Sequence, residues 1–74
     1  MLITVKLFAT FRDGRFKIET RAYPEGARVS DVLASLDIAE SEVGTLFIRS
    51  RHVEPDRELA DGDTLAIFPL VGGG

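Results

Sequence analysis

With no cysteine and one histidine, the chain offers few side chains for covalent chemistry. Ser50 and His52 stand two apart, but neither an orienting carboxylate nor an oxyanion donor accompanies them, so they read as surface residues. Glu54, Asp56, Glu58, Asp61 and Asp63 form an acidic run whose spacing misses that of a calcium loop. It offers a solvated edge, or a docking edge for a basic partner. Without thiols there is no disulfide framework and no thiolate metal site, and no metal is expected. The remaining covalent site is the carboxylate that ends Gly72-Gly73-Gly74. Glycines lack Cβ atoms and let a chain approach other groups closely. On the glycines alone, a frayed end and a presented end are both open readings. The stiff, apolar Phe68-Pro69-Leu70-Val71 just before them favours presentation.

The elements that would position this terminus follow from periodicity. Leu2 to Phe8 alternates, with Ile3, Val5 and Leu7 on one face and Thr4 and Lys6 on the other, which predicts a half-buried strand. Asp13-Gly14 supplies a turn. Phe16 to Thr20 alternates again, predicting a hairpin with Phe16 and Ile18 toward the core. Val29, Val32, Leu33 and Leu36 fall at helical spacing, with Ser30 as cap and Asp31 at the positive helix end. Asp37 to Gly44 is polar and reads as helix end and loop, Leu46 to Ile48 as a short strand. Asp61-Gly62-Asp63 is turn chemistry, Thr64 to Phe68 a closing strand, and Pro69 stops its ladder. Strand, strand, helix, strand, strand predicts an α+β fold. It is a β-grasp (ubiquitin-like) roll, a mixed four-to-five-stranded sheet with one main helix on one face. Residues 1–70 form the domain and residues 71–74 a flexible glycine tail.

Totals narrow the function classes. Seventy-four residues make one small domain. Nine basic and twelve acidic residues leave a net charge of −3, against nucleic acid, which requires a basic surface. No apolar run is long enough to span a bilayer, and Met1 to Phe8 does not read as a signal peptide. Cytoplasmic placement is the expectation.

Strand parity adds a binding surface. With Leu65 and Ile67 inward, Ala66 and Phe68 point to the opposite face. Phe47 and Phe8 fall on that side too. Three phenylalanines meeting there would mark a partner site. The other reading is that one or two fold over the edge into the small core.

Val5-Lys6-Leu7-Phe8-Ala9-Thr10-Phe11-Arg12, followed by Gly14, resembles the first strand and turn of the MoaD/ThiS family. Leu59-Ala60-Asp61-Gly62-Asp63-Thr64-Leu65-Ala66-Ile67-Phe68-Pro69, with the closing Gly73-Gly74, resembles that family's last strand and tail. The resemblance spans nearly the whole chain. It implies a sulfur carrier, not itself an enzyme, though able to serve as the small subunit of molybdopterin synthase. By resemblance, a ubiquitin-activating-type adenylyltransferase adenylates the Gly74 carboxylate, which then becomes a thiocarboxylate. Gly72 and Gly73 thread the enzyme's channel. Partner contacts are expected at Phe8, Phe47, Phe68, Pro69, Leu70 and Val71. The implied acceptor is the molybdopterin synthase large subunit, or thiazole synthase in the thiamin branch. The chain itself binds no cofactor; ATP and Mg belong to the activating enzyme.

Two details depart from the family pattern. Leu70 stands where molybdopterin-type members usually carry a second proline, and Arg49-Ser50-Arg51-His52 replaces an Asn-Gly hairpin. Two other classes stay open: a non-covalent binding module using Phe8, Phe47 and Phe68, and a protein modifier joined through Gly74. Lys6 and Lys17 are the only lysines on which such a modifier could build chains.

Overall fold

The computed structural model describes residues 1–70. Val71, Gly72, Gly73 and Gly74, with the expected tail, lie outside the described residues. The strands are β1 (Leu2–Leu7), β2 (Ile18–Ala22), β3 (Val43–Ile48), β4 (Arg51–His52) and β5 (Thr64–Pro69). One helix, α1 (Val29–Ser35), and two short 3-10 turns, Ala9–Arg12 and Glu40–Glu42, complete the element order. The strands form one sheet in the order β2-β1-β5-β3-β4. Only β1 and β5 run parallel; the other neighbours are antiparallel. This is the mixed sheet of a β-grasp roll, with one helix on one face.

The core follows the predicted parities. Ile3, Val5, Leu7, Leu65 and Ile67 from the two central strands are fully buried, against Val29, Val32 and Leu33 of α1. Phe11, Leu36, Ile38, Leu46, Ile48, Val53 and Leu59 extend the cluster. No described helix is long and apolar enough to cross a membrane.

The second strand departs from expectation. It begins at Ile18, not Phe16, and Ile18 is exposed while Phe16 packs only partly on the core. The cause is register. Val5 pairs with Glu19 and Ile3 with Arg21, so odd positions of β2 share the core side and Ile18 takes the other. The 3-10 turn shifts the phase, with Ala9 at φ 51° and Phe11 filling the core in place of Ile18. The third strand is longer than predicted, starting at Val43 in what reads as a polar loop.

Helix α1 is capped differently from the reading above at its start and ends, as that reading has it, at Asp37. Arg28, not Ser30, occupies the N-cap position, and its N–H donates to Asp31 Oδ2 at 2.7 Å. The N–H groups of Val29 and Ser30 donate to the carbonyls of Arg57 and Pro55, so the loop before β5 satisfies the helix start. At the other end Ile38 N–H reaches Leu33 O and Asp37 N–H reaches Ala34 O, a Schellman pair. Asp37 holds the left-handed position at φ 59°, which favours glycine. Asp37→Gly is therefore expected to stabilise the domain by roughly 0.4–1 kcal/mol, read as a raised urea midpoint.

Candidate functional site

The face of the sheet away from α1 carries the three phenylalanines. Alternation along β5 sends Leu65 and Ile67 into the core and Ala66 and Phe68 outward. The Phe8 and Phe68 rings stack with centroids 4.1 Å apart and planes 10° from parallel. Phe47 meets Phe68 edge-on at 5.8 Å. Phe68 is thus the shared member of a three-ring cluster, and none of the three folds into the core. The rings line a shallow depression of about 630 Å³ with Lys6, Ala66 and Arg49. The Arg12 guanidinium lies 5.3 Å from the Phe8 centroid while its Nε donates to Leu7 O. An apolar centre with Lys6, Arg12 and Arg49 around it stands on a chain whose net charge is −3.

The strand that carries Phe68 leads straight to the glycines. Pro69 does not end the pairing: it sits opposite Val43, and Leu70 N–H still donates to Glu42 O at 3.0 Å. Leu70 is itself exposed at 64%. A bulge between Val43 and Thr45 grips this exit. Gly44 lies so close that a Cβ there would meet Pro69 O at 2.5 Å and Leu70 Cα at 3.1 Å. Only glycine fits. An isolated glycine inside an apolar run signals close backbone approach, yet Gly44 reads from the sequence as loop. Gly44→Ala should push Pro69 and Leu70 aside, with a cost of about 1–3 kcal/mol visible in a thermal melt. It should also displace Leu70 relative to the aromatic cluster.

The opposite end of β5 is fixed by the Asp61-Gly62-Asp63 turn. Leu2 N–H donates to Asp61 Oδ1 at 2.7 Å, and Gly62 N–H to Leu2 O at 2.9 Å. Thr4 N–H donates to Asp63 O, and the buried Asp63 carboxylate accepts from Ala60 N–H at 2.9 Å. Gly62 adopts φ 88° to make the turn. These bonds set β5 parallel to β1 in the register that aligns Phe68 with Phe8. The acidic run therefore divides: Asp61 and Asp63 hold backbone, while Glu54, Asp56 and Glu58 are exposed. His52 and Glu54 lie 3.8 Å apart on the surface, with no serine or second carboxylate completing a catalytic group among the described residues.

The family model described as the ThiS family matches residues 5–74. The chain belongs to the ThiS family. Solved structures agree with this ThiS-family fold. The "Putative molybdopterin converting factor, subunit 1" of Pyrococcus furiosus is 32% identical, with a TM-score of 0.78 over 96% of this chain and 99% of that one. The small archaeal modifier protein 1 of H. volcanii is 20% identical, with a TM-score of 0.76 over 95% and 98%. Subunit 1 in the complex of subunits 1 and 2 of the molybdopterin-converting factor from Helicobacter pylori shares the fold at 19% identity and a TM-score of 0.68, covering 100% of each chain. The comparison with curated proteins gave no match.

Proposed function

We propose that this chain is a sulfur carrier of molybdopterin synthesis. An activating enzyme holding Mg-ATP takes the Gly74 carboxylate; its oxygen attacks the α-phosphorus, and pyrophosphate leaves. Sulfide-level sulfur, as HS⁻, then attacks the acyl carbon and AMP leaves, giving a thiocarboxylate and a released proton. The carrier's own part is placement. The observation that supports the reading is the continuity of β5: Phe68, the middle ring of the aromatic cluster, is six residues before Gly74 on the strand that Gly44 steers. A partner that docks on the rings meets the strand exit at Leu70, four residues before Gly74. Gly72 and Gly73 supply the close approach such a channel needs, with Pro69, Leu70 and Val71 along its mouth. ATP and Mg come with the partner, an adenylyltransferase; the acceptor is a large subunit of molybdopterin synthase, in line with the 32% identical Pyrococcus furiosus neighbour. The family name favours thiazole synthase as the second acceptor.

The deciding experiment incubates the protein with a cognate activating enzyme, Mg-ATP and a sulfur source, then measures intact mass. Exchange of one oxygen for sulfur at the terminus is expected. A mass joined through Gly74 to other proteins would replace the carrier with a modifier. No change at the terminus, with binding retained, would leave only a binding module.

The rings give a separate check. Phe47 touches the cluster from its rim, whereas Phe68 stacks on one ring and abuts the other. Phe47→Arg is therefore expected to weaken partner binding by about 2 kcal/mol or more, as changes at a desolvated contact do. In the free domain it should alter stability by no more than about 0.5–1.5 kcal/mol, the worth of one aromatic pair. Titration calorimetry and a melt on the same variant separate the two. A melt that collapses would make Phe47 a core residue.

A further inference from the structure

The outer edge of β2 is built to pair with itself. Met1 and Tyr23 exchange both backbone hydrogen bonds, at 2.7 and 2.9 Å, and Leu7 N–H donates to Lys17 O. With the β1–β2 register, this places the bonds to β1 at odd positions of β2. The N–H and C=O groups of Ile18, Thr20 and Ala22 therefore point away from the sheet. β2 is a terminal strand of the sheet, and no described strand covers that side.

Its side chains are self-complementary about Thr20. A second copy laid antiparallel with Thr20 opposite Thr20 sets Ile18 against Ala22 and Glu19 against Arg21. Even positions then become the hydrogen-bonded pairs, in agreement with the groups that already face outward. Glu19 and Arg21 become the closely spaced, non-hydrogen-bonded pair, where opposite charges are favourable. Within one chain these two sit 3.8 Å apart, both on the α1 side of the sheet. The two-fold would extend that contact into a four-charge ladder. On the other face, Leu2 neighbours Ala22 across β1 and β2, so each Ile18 would meet the partner's Ala22 and Leu2. Leu2 and Ile18 are exposed at 57% and 55%, and they are two of the three large apolar side chains exposed among the described residues.

We infer that the β2 edge is a homodimer interface, the occupant being a second copy paired antiparallel about Thr20. A natural edge strand normally carries charges that repel pairing; here the charges match under one symmetry operation. The two-fold stands perpendicular to the sheet, so both helices lie on one side and both aromatic clusters on the other. The β5 exits lie away from the new seam. The dimer therefore leaves partner docking on each copy open, and the interface does not depend on the carrier reading.

Sedimentation velocity across a concentration series, in low salt, tests it with the whole chain. A reversible monomer–dimer equilibrium is expected, weakened by salt as exposed charge pairs are. Thr20→Pro removes an outward N–H and leaves the backbone bonds to β1 intact, losing besides only the exposed Thr4 Oγ1–Thr20 Oγ1 hydrogen bond, so it should largely keep the melt and raise the dimer dissociation constant by at least about tenfold. Glu19→Arg alone should do the same by setting arginine against arginine, and Glu19→Arg with Arg21→Glu should restore pairing. In amide spectra, dilution should move Ile18, Thr20 and Ala22. The inference fails if the protein stays monomeric to millimolar concentration, if the double swap does not restore pairing, or if dilution moves Phe8, Phe47 and Phe68 instead.

Discussion

Adding one alanine after Gly74 is expected to abolish adenylation while leaving the fold unchanged. The Gly74 carboxylate becomes an amide, whose oxygen is no longer an anionic nucleophile for the α-phosphorus of ATP. The new carboxylate lies one residue further out, a reach of about 3.3–3.6 Å. Displacements of about 1 Å already cost roughly a hundredfold in rate where reacting atoms must be aligned. The domain does not feel the change, because its last described contact is Leu70 N–H to Glu42 O. Docking through Phe8, Phe47 and Phe68 should also persist. Pyrophosphate exchange with the cognate activating enzyme reads the first effect, and a melt with a binding isotherm reads the others. An extended chain that still turns over, in a strain unable to trim the alanine, would show that Gly74 is not the reacting residue.

Leu33→Ala is expected to be the most damaging single change to stability. Leu33 is 1% exposed, lies among the fully buried β1 and β5 side chains, and accepts the Ile38 N–H that closes α1. Removing its branched end leaves a cavity that nearby residues fill only in part. Core leucine deletions of this kind cost about 2–5 kcal/mol. Total stabilities of natural domains run to only about 5–15 kcal/mol, so a large share would be lost. The urea midpoint should fall steeply. A nearly unchanged midpoint would mean that the α1 stripe does not face the sheet.

Apart from the short β4 and the two 3-10 turns, the element order, the buried faces of β1, α1 and β5, and the meeting of three phenylalanines were legible from the alternation of the strands and the helical spacing of α1. They were legible because each strand has one buried face, and a period of two fixes which residues share it. What escaped depended on phase carried across a loop. The 3-10 turn after Phe8 shifts β2 so that Ile18 faces solvent, and no local pattern in residues 16–20 records that. Gly44 escaped for a different reason: its role exists only once Pro69 lies beside it, twenty-five positions away in sequence. Asp61 and Asp63 looked like turn residues and acidic surface. The Asp63 bond to Ala60 N–H is that local turn chemistry, whereas the Asp61 bond to Leu2 N–H reaches the start of β1, a long-range contact that composition does not express. The partner role of the rings came from strand parity and that of Gly72, Gly73 and Gly74 from family resemblance, and binding experiments test both.

The central place of β5 also bears on how the domain comes to fold. The β1–β2 hairpin and the β3–β4 hairpin do not touch as strands; β5 joins them, hydrogen-bonded to β1 on one side and β3 on the other. During synthesis, the ladder between the two halves must wait until Thr64 to Pro69 have emerged. Closure then joins segments separated by almost the entire chain, the kind of non-local pairing that slows folding. Leu65 and Ile67 complete the core at that moment. The same few residues that finish the fold include Phe68 and precede the glycine run in the sequence. A chain cut short before Thr64 would be left with two unjoined hairpins, so loss of the C-terminal glycines and loss of the folded state would arrive together.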